Sequence, residues 1–468
     1  MHEVDTHEAD VIVIGGGPAG ENVAGRCADN GLTVSIVERE LVGGECSYWG
    51  CIPSKTLLRP GDVLAAASRV PGAAQAVTGT VDAAAAFAWR DYMTGGWDDS
   101  GQVPWLDSKK IALFRGAGRL AGTRTVEITG DDGARRLTAR RAVVIATGTV
   151  AVVPPVDGLR DARPWNNRSA TAATYVPRRL LVVGGGATGV EMAQAFHRLG
   201  CPRVTIVEAA GRLLAREEPF AGEELRAAFQ ATGIEVITGV PLVSARRQDG
   251  DSTVVTTLAD GSRISAEEIL VAVGRRPATA DLGLDMVGLA PGRFVDVDGW
   301  MRATGVDGGW LYAVGDCNGR ALLTHMGKYQ GRLAADVILG RDVPAATDVV
   351  PRVIFTDPQV CAVGLTEQQA RDAGLPVRSV TYGTGDVAGA QVRSRASTTS
   401  SGSSKLVIDS ERSVIVGATF VGPDVQEVLH AATVAIVGEV PLDRLWHAVP
   451  SFPTVSEIWL RLLEQYGL

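Results

Sequence analysis

The chain has 468 residues, of which 46% are hydrophobic and 21% charged, with a formal net charge of -8. That length suggests about two to four domains with ample material for a core, and the acidic balance opposes nucleic acid or an anionic membrane as a partner. No basic start leads into an apolar run and no stretch approaches the roughly 18 apolar residues of a spanning helix, so neither a signal peptide nor a membrane span is expected and the location expected is cytoplasmic.

Residues 10–14 read as a buried strand, followed by a glycine turn, an amphipathic stretch and a second strand over 33–37. Residues 180–183 and 203–207 repeat the pattern about 170 residues later, so the chain contains two β-α-β units of similar design. Residues 141–148 form another strand running into a small-residue turn, and the proline-bearing segment 150–158 reads as a crossover into a second domain. Residues 268–277 mirror that turn and lead back out, and 310–316 form a further strand ending in Gly-Asp. After about residue 345 the pattern changes to strands at 352–355, 405–408 and 414–420 mixed with helices at 426–437 and 456–464, which marks a separate α+β domain. The low-complexity run 394–404 reads as a surface loop or hairpin tip.

The first glycine turn, Gly15-Gly16-Gly17-Pro18-Ala19-Gly20, fits the G-x-G-x-x-G fingerprint. Its glycines Gly15, Gly17 and Gly20 allow the tight turn, close approach to a pyrophosphate, and close packing of helix on strand. Glu38 ends the second strand, where an acid binds ribose hydroxyls. The second fingerprint is Gly184-Gly185-Gly186-Ala187-Thr188-Gly189, with Gly184, Gly186 and Gly189 in the same roles and Glu208 as its acid. A carboxylate there repels a 2′-phosphate, which favours NADH over NADPH, although Arg212 lies close enough in sequence to accommodate one. Two dinucleotide sites in one chain imply hydride passing between bound cofactors, and the natural pair is NAD(P)H and FAD.

Of six cysteines only Cys46 and Cys51 are close in sequence. In a large cytosolic chain such a pair is catalytic or metal-binding more often than structural. No second Cys or His pair with matching spacing completes a zinc site, so no metal is expected. The pair lies in Gly43-Gly44-Glu45-Cys46-Ser47-Tyr48-Trp49-Gly50-Cys51-Ile52-Pro53-Ser54-Lys55, which resembles the GGxCxxxGCIPSK signature of the flavoprotein disulfide reductases, such as dihydrolipoamide dehydrogenase, glutathione reductase and mercuric reductase. The stretches 146–148, 274–277, 312–316, 323–325, 355–358 and 363–367 match family turns in order, so the resemblance covers nearly the whole chain.

The resemblance implies an α/β fold with two Rossmann-like dinucleotide-binding domains and a C-terminal α+β dimerisation domain. Residues 1–152 and 271–344 would bind FAD, 153–270 would bind NAD(P), and 345–468 would form the interface of a homodimer. It places Gly148 and Asp316 at the FAD, the latter on its ribityl chain, and Gly274 at the NAD site. Cys51 becomes the flavin-side sulfur and Cys46 the interchange thiol that meets substrate. Lys55, near the flavin, pairs with Glu191. A thiolate that persists beside a flavin requires nearby positive charge or a helix N-terminus. Ala187 stands where relatives often carry a bulkier gate over the nicotinamide, and a smaller side chain there either opens the flavin face or is packing alone.

The C-terminal motif departs from the pattern. The family's His-Pro-Thr, with a glutamate five residues after the histidine, supplies the acid-base group from the partner subunit. Here the stretch reads Ser451-Phe452-Pro453-Thr454-Val455-Ser456-Glu457. Glu457 keeps the catalytic glutamate's position, but Phe452 cannot shuttle a proton, and losing such a group typically costs about 10²- to 10⁴-fold in rate. His447 is the nearest alternative. Mercuric reductases also lack the histidine but carry a C-terminal cysteine pair, and this chain has no cysteine after Cys361. Trp446, Phe452 and Trp459 would line either an apolar pocket, suited to a quinone or a hydrophobic disulfide, or the dimer core. Three functions fit: a disulfide reductase with an unusual small-molecule substrate, an NAD(P)H:acceptor reductase for a quinone, dye, metal ion or oxygen, and a flavin-binding redox sensor without turnover.

Overall fold

A computed structural model describes residues 5–131, 133–247, 253–345, 349–394 and 402–468. It divides into two compact units, Met1–Pro53 with Arg90–Val152 and Gly274–Thr347, and Ser54–Trp89 with Val153–Val273 and Asp348–Leu468.

In the first unit the strand Asp5–Ile14 runs parallel to Val34–Glu38 on one side and to Gly133–Ile145 on the other. Ala112–Arg115 extends the parallel sheet beyond Val34–Glu38, and Leu311–Ala313 pairs with Val143–Ile145. Val11, Ile12, Val13 and Ile36 are fully or almost fully buried, as apolar runs covered on both faces must be in a parallel sheet. The strand expected to start at residue 141 in fact begins at Gly133. Its first half pairs antiparallel with Thr125–Gly130, which pairs in turn with Ala117–Gly122. There, buried Leu137 and Ala139 alternate with exposed residues, so the half-solvated segment lacks a continuous apolar run. The helix Pro18–Asp29 packs on Thr324–Ile338, where a Cβ on Gly331 would lie 2.6 Å from the Ala19 carbonyl oxygen. Farther along, Arg26 grips Asp336 through Nε and Nη2 at 2.9 and 2.8 Å.

The second unit repeats the device. Its parallel sheet runs Glu235–Thr238, Arg203–Glu208, Arg179–Val183, Glu268–Val271, with the helix Ala187–Arg198 following the glycine turn. An antiparallel trio, Leu242–Arg247, Val254–Leu258 and Arg263–Ala266, accompanies it. The C-terminal part is a five-stranded antiparallel sheet ordered Arg352–Ile354, Gln359–Gly364, Val414–Gly422, Ser403–Asp409, Val377–Gly383. The helices Val425–Val437 and Ile458–Tyr466 share a core with it through Val428, Leu429, Ala432, Ile458 and Leu462. This matches the expected α+β domain and adds Gln359–Gly364 and Val377–Gly383 to its sheet. Of the run expected as a loop, residues 395–401 lie outside the described residues, and Ser403 and Ser404 already belong to a strand.

Candidate active site

In the first unit the fingerprint turn is shaped by contacts that only glycine permits. Gly15 has φ +108°, and a Cβ there would sit 2.4 Å from the Ala146 carbonyl oxygen. A Cβ on Gly20 would come within 2.0 Å of the Gly15 carbonyl oxygen, so strand and helix close tightly. Gly17 faces Gly44, whose added Cβ would lie 2.8 Å from the Gly17 Cα. Gly43 N–H donates to the Gly16 carbonyl at 2.8 Å, tying the cysteine loop to this turn. The result is a side-chain-free cradle at the N-terminus of the helix Pro18–Asp29, suited to a pyrophosphate.

Glu38 accepts from Gly16 N–H at 2.6 Å on one oxygen and from Glu40 N–H at 2.7 Å on the other. Each oxygen keeps a lone pair for a ribose hydroxyl. The Thr147 hydroxyl is buried with no hydrogen-bond partner, and Gly148 beside it has φ +67°. Asp316 accepts from the Thr149 hydroxyl at 2.8 Å. Arg275 donates to Thr149 Oγ1 at 2.7 Å and to Glu45 at 3.2 Å, so a continuous polar chain runs from Asp316 to the cysteine loop. Burial pushes the Asp316 carboxyl above the usual carboxylate range, against the pull of Thr149 and Arg275. The glycine cradle, the ribose acid and the orphaned Thr147 hydroxyl together fit FAD.

Cys46 lies on the short helix Gly44–Tyr48, and Cys51 is the first residue of the helix Cys51–Ser68. Both are half-buried thiols, not joined in a disulfide. Cys51 Sγ lies 3.2 Å from the hydroxyl of Thr324, which opens the helix Thr324–Ile338. Two helix N-termini therefore converge on the Cys51 sulfur, the setting that stabilises a thiolate. The Cys46 thiol is pushed above its ordinary range, first by its hydrogen bond to Cys51 and then by burial, while Thr324 and Lys328 pull the other way.

In the second unit Lys55, one turn along the helix from Cys51, forms a 2.7 Å ion pair with buried Glu191. The other Glu191 oxygen accepts from Phe355 N–H at 2.9 Å, and Lys55 Nζ lies 4.7 Å from the Phe355 ring centroid. Gly184, Gly186 and Gly189 repeat the first fingerprint's geometry, with Gly184 at φ +113°. Glu208 accepts from Gly185 N–H at 2.5 Å and Ala210 N–H at 2.7 Å, as Glu38 does in its own unit. Arg212 is committed to its own loop, donating to the carbonyls of Ala215 at 2.8 Å and Glu217 at 3.1 Å. Ala187 is the first residue of the fingerprint helix. Gly274 falls in the first unit, where its carbonyl accepts from Val152 N–H.

The C-terminal motif is split. Phe452 is 76% exposed and Trp446 and His447 are exposed too, whereas Trp459 is buried 5.7 Å from Phe420 in the domain core. Glu457 is buried and accepts from Gly389 N–H at 3.2 Å. Sequence reasoning gave no role to Thr324, Lys328, Thr149 or Arg275. Thr324 and Arg275 do lie in family-like stretches, and Lys328 follows Thr324 by one helical turn. Among the described residues no group of three His, Cys, Asp or Glu side chains could hold a metal ion.

Comparison with known proteins agrees with this layout. The pyridine nucleotide-disulphide oxidoreductase model matches residues 9–331, and the dimerisation-domain model of the same family matches residues 350–462. A mercuric reductase of Acidithiobacillus ferrooxidans is 31% identical over 97% of this chain and 82% of its own length. A dihydrolipoyl dehydrogenase of Thermus scotoductus is 34% identical over 96% and 95%. Among solved structures, LpdA of Mycobacterium tuberculosis superposes with a TM-score of 0.86 at 24% identity, over 99% of this chain and all of that one. The Cu(II) complex of RclA, an HOCl-induced flavoprotein disulfide reductase of Escherichia coli, superposes with a TM-score of 0.85 at 23% identity over 98% and 99%. The chain belongs to the pyridine nucleotide-disulphide oxidoreductases and is a flavoprotein disulfide oxidoreductase of the dihydrolipoamide dehydrogenase and mercuric reductase type, using FAD and NAD(P)H. Its dimerisation domain supports a homodimer. No helix among the described residues is long and apolar enough to cross a membrane.

Proposed function

We propose that the chain is a cytoplasmic, NADH-dependent reductase that delivers two electrons to a Cys46–Cys51 disulfide and on to a small-molecule disulfide. When bound, FAD supplies the two-electron junction between nicotinamide and disulfide. Gly15, Gly17 and Gly20 with Gly44 hold its pyrophosphate, Glu38 its ribose, and Gly148 and Asp316 its flavin end. Gly184, Gly186, Gly189, Glu208 and Gly274 serve NADH. The preference for NADH is supported by Glu208, which presents a carboxylate to the 2′-position, and by Arg212, whose Nη2 donates to the loop carbonyls of Ala215 and Glu217.

The observation that carries the reading is the environment of the cysteine pair. Two electrons cleave the S–S bond, leaving charge on Cys51 beside Thr324 and a proton on Cys46. Once Cys46 loses that proton to solvent, its sulfur attacks the substrate disulfide and expels one thiolate. Cys51 then attacks the Cys46 sulfur, expels the second thiolate and restores the Cys46–Cys51 bond. With Phe452 in place of an acid, each leaving group departs as a thiolate. The enzyme therefore favours disulfides of low-pKa, apolar or aromatic thiols. Glu457, spent on Gly389 N–H, anchors the segment that carries Phe452.

A second reading, reduction of a quinone, dye or metal ion, is favoured by the exposed apolar side chains of Phe452 and Trp446. Mercury itself is a poor fit, since no cysteine follows Cys361. Cys46→Ser separates the two readings. The first expects loss of acceptor turnover with flavin reduction by NADH intact, and unchanged turnover excludes it.

A further inference from the structure

Two helices of the second unit lie side by side in a charge-coded register. Lys55 and Asp62 lie seven residues apart on the helix Cys51–Ser68, as Glu191 and Arg198 do on Ala187–Arg198. Lys55 pairs with Glu191 at 2.7 Å and Asp62 with Arg198 at 2.5 Å. The two bridges have opposite polarity, so each helix sets the position of the other. A Cβ on Gly61 would lie 2.6 Å from Arg198 Cδ, which shows how closely they approach.

The segment Phe355-Thr356-Asp357 is strapped along one face of the helix Ala187–Arg198. Glu191, Gln194 and Arg198, at spacings of three and four residues, share that face. Glu191 accepts from Phe355 N–H at 2.9 Å. Gln194 reads both sides of the Asp357 backbone, accepting from its N–H at 2.8 Å and donating to its carbonyl at 3.1 Å. The Asp357 carboxylate is held by Arg198 and Arg69, each at 2.6 Å. Gln194 is buried, and no reactant needs to touch it.

We infer that Gln194 is a positioning residue: by pinning the strap at Asp357 it aims Phe355 N–H at Glu191, and Glu191 and the Phe355 ring together hold the Lys55 ammonium in place. The consequence for flavin reduction rests on the place beside the flavin that the family resemblance gives Lys55, and on the proposed function, whereas the positioning of Lys55 does not.

The test uses the FAD-loaded enzyme and two measurements. In the first, Lys55 is acetylated competitively with trace acetic anhydride and quantified by mass spectrometry against Lys109 and Lys110. Gln194→Met keeps the side-chain length and removes both backbone hydrogen bonds, and is expected to raise Lys55 labelling roughly tenfold. An unchanged rate overturns the inference. Gln194→Glu keeps the acceptor for Asp357 N–H and is expected to give a smaller rise. It serves as the test if the Met variant fails to fold, with an unchanged rate again overturning the inference. In the second measurement, anaerobic reduction of the flavin by NADH is followed by its absorbance. Gln194→Met is expected to slow it about 10- to 100-fold, in step with Lys55→Met. If labelling rises while flavin reduction is unaffected, the positioning stands and the role of Lys55 at the flavin fails.

Discussion

The contact between Thr324 and Cys51 makes a quantitative demand on the reduced enzyme. Thr324→Val preserves shape and removes the hydroxyl 3.2 Å from Cys51 Sγ. When Cys51 is a thiolate, that hydroxyl donates to it, and a hydrogen bond to a charged group contributes about 1.5–3 kcal/mol. At about 1.4 kcal/mol per pH unit, its loss raises the Cys51 pKa by roughly one to two units. The sign follows from which form is stabilised: the hydroxyl favours the charged sulfur, so removing it favours the thiol. The assay is a pH titration of the long-wavelength charge-transfer absorbance of a thiolate beside oxidised flavin, in the two-electron-reduced protein. The variant's midpoint should move upward by that amount, and turnover near neutral pH should fall accordingly. If the midpoint stays within about 0.3 units of wild type, Thr324 does not stabilise the Cys51 thiolate. The convergence of helix N-termini would then have to account for the thiolate alone.

Three further outcomes are expected. Glu208→Ser removes the carboxylate proposed to face the adenosine ribose 2′-position and should cut the NADH:NADPH ratio of kcat/KM at least tenfold, as read from steady-state rates with both nucleotides. Phe452→His should raise reduction of aliphatic disulfides at least tenfold while leaving stopped-flow reduction of the flavin by NADH unchanged, and no gain would show that proton supply does not limit that half-reaction. Asp62 is raised by burial to about 6, against the pull of Arg198, so the folded protein binds its proton more tightly than the unfolded chain. Its contribution to stability is therefore lost as pH rises from about 4 to 6. Asp62→Asn, which still accepts from Arg198, should be more stable than wild type at pH 8 by up to about 3 kcal/mol and indistinguishable at pH 4, measured by urea unfolding.

What was legible in the sequence is what local covalent geometry dictates. Gly15 and Gly184 need a positive φ, Gly20 and Gly189 have no room for a Cβ, and Gly17 and Gly186 leave the helix N-terminus bare for a pyrophosphate, so the motifs announce themselves. Glu38 and Glu208 follow 23 and 24 residues after Gly15 and Gly184 because each ends the second strand of its β-α-β unit. Thr324, Thr149 and Arg275 were missed because they reach the cysteine loop only through tertiary packing, and no spacing in the chain relates residue 51 to residue 324. The early half of Gly133–Ile145 escaped because a half-solvated strand carries charges on one face. From sequence, Trp459 and Phe452 line one apolar pocket or the dimer core together, yet one is buried beside Phe420 and the other faces outward. Their fates diverge because Ile458–Tyr466 is an amphipathic helix packed on the sheet, whereas Phe452 lies in the connecting segment before it.

The twofold use of a carboxylate clasping its own glycine turn has a consequence for how the enzyme is loaded. Glu38 accepts from Gly16 and Glu40, and Glu208 from Gly185 and Ala210, in the same way, so on the proposed assignment the two carboxylates present the same receptor for an adenosine ribose. Neither receptor alone can tell FAD from NAD, since the two molecules share that half. During maturation in a cell rich in adenine nucleotides, the empty flavin cradle is therefore open to the wrong occupant. Sorting falls to the other half of each ligand, and reconstitution of stripped protein with FAD should be slowed competitively by AMP or NAD.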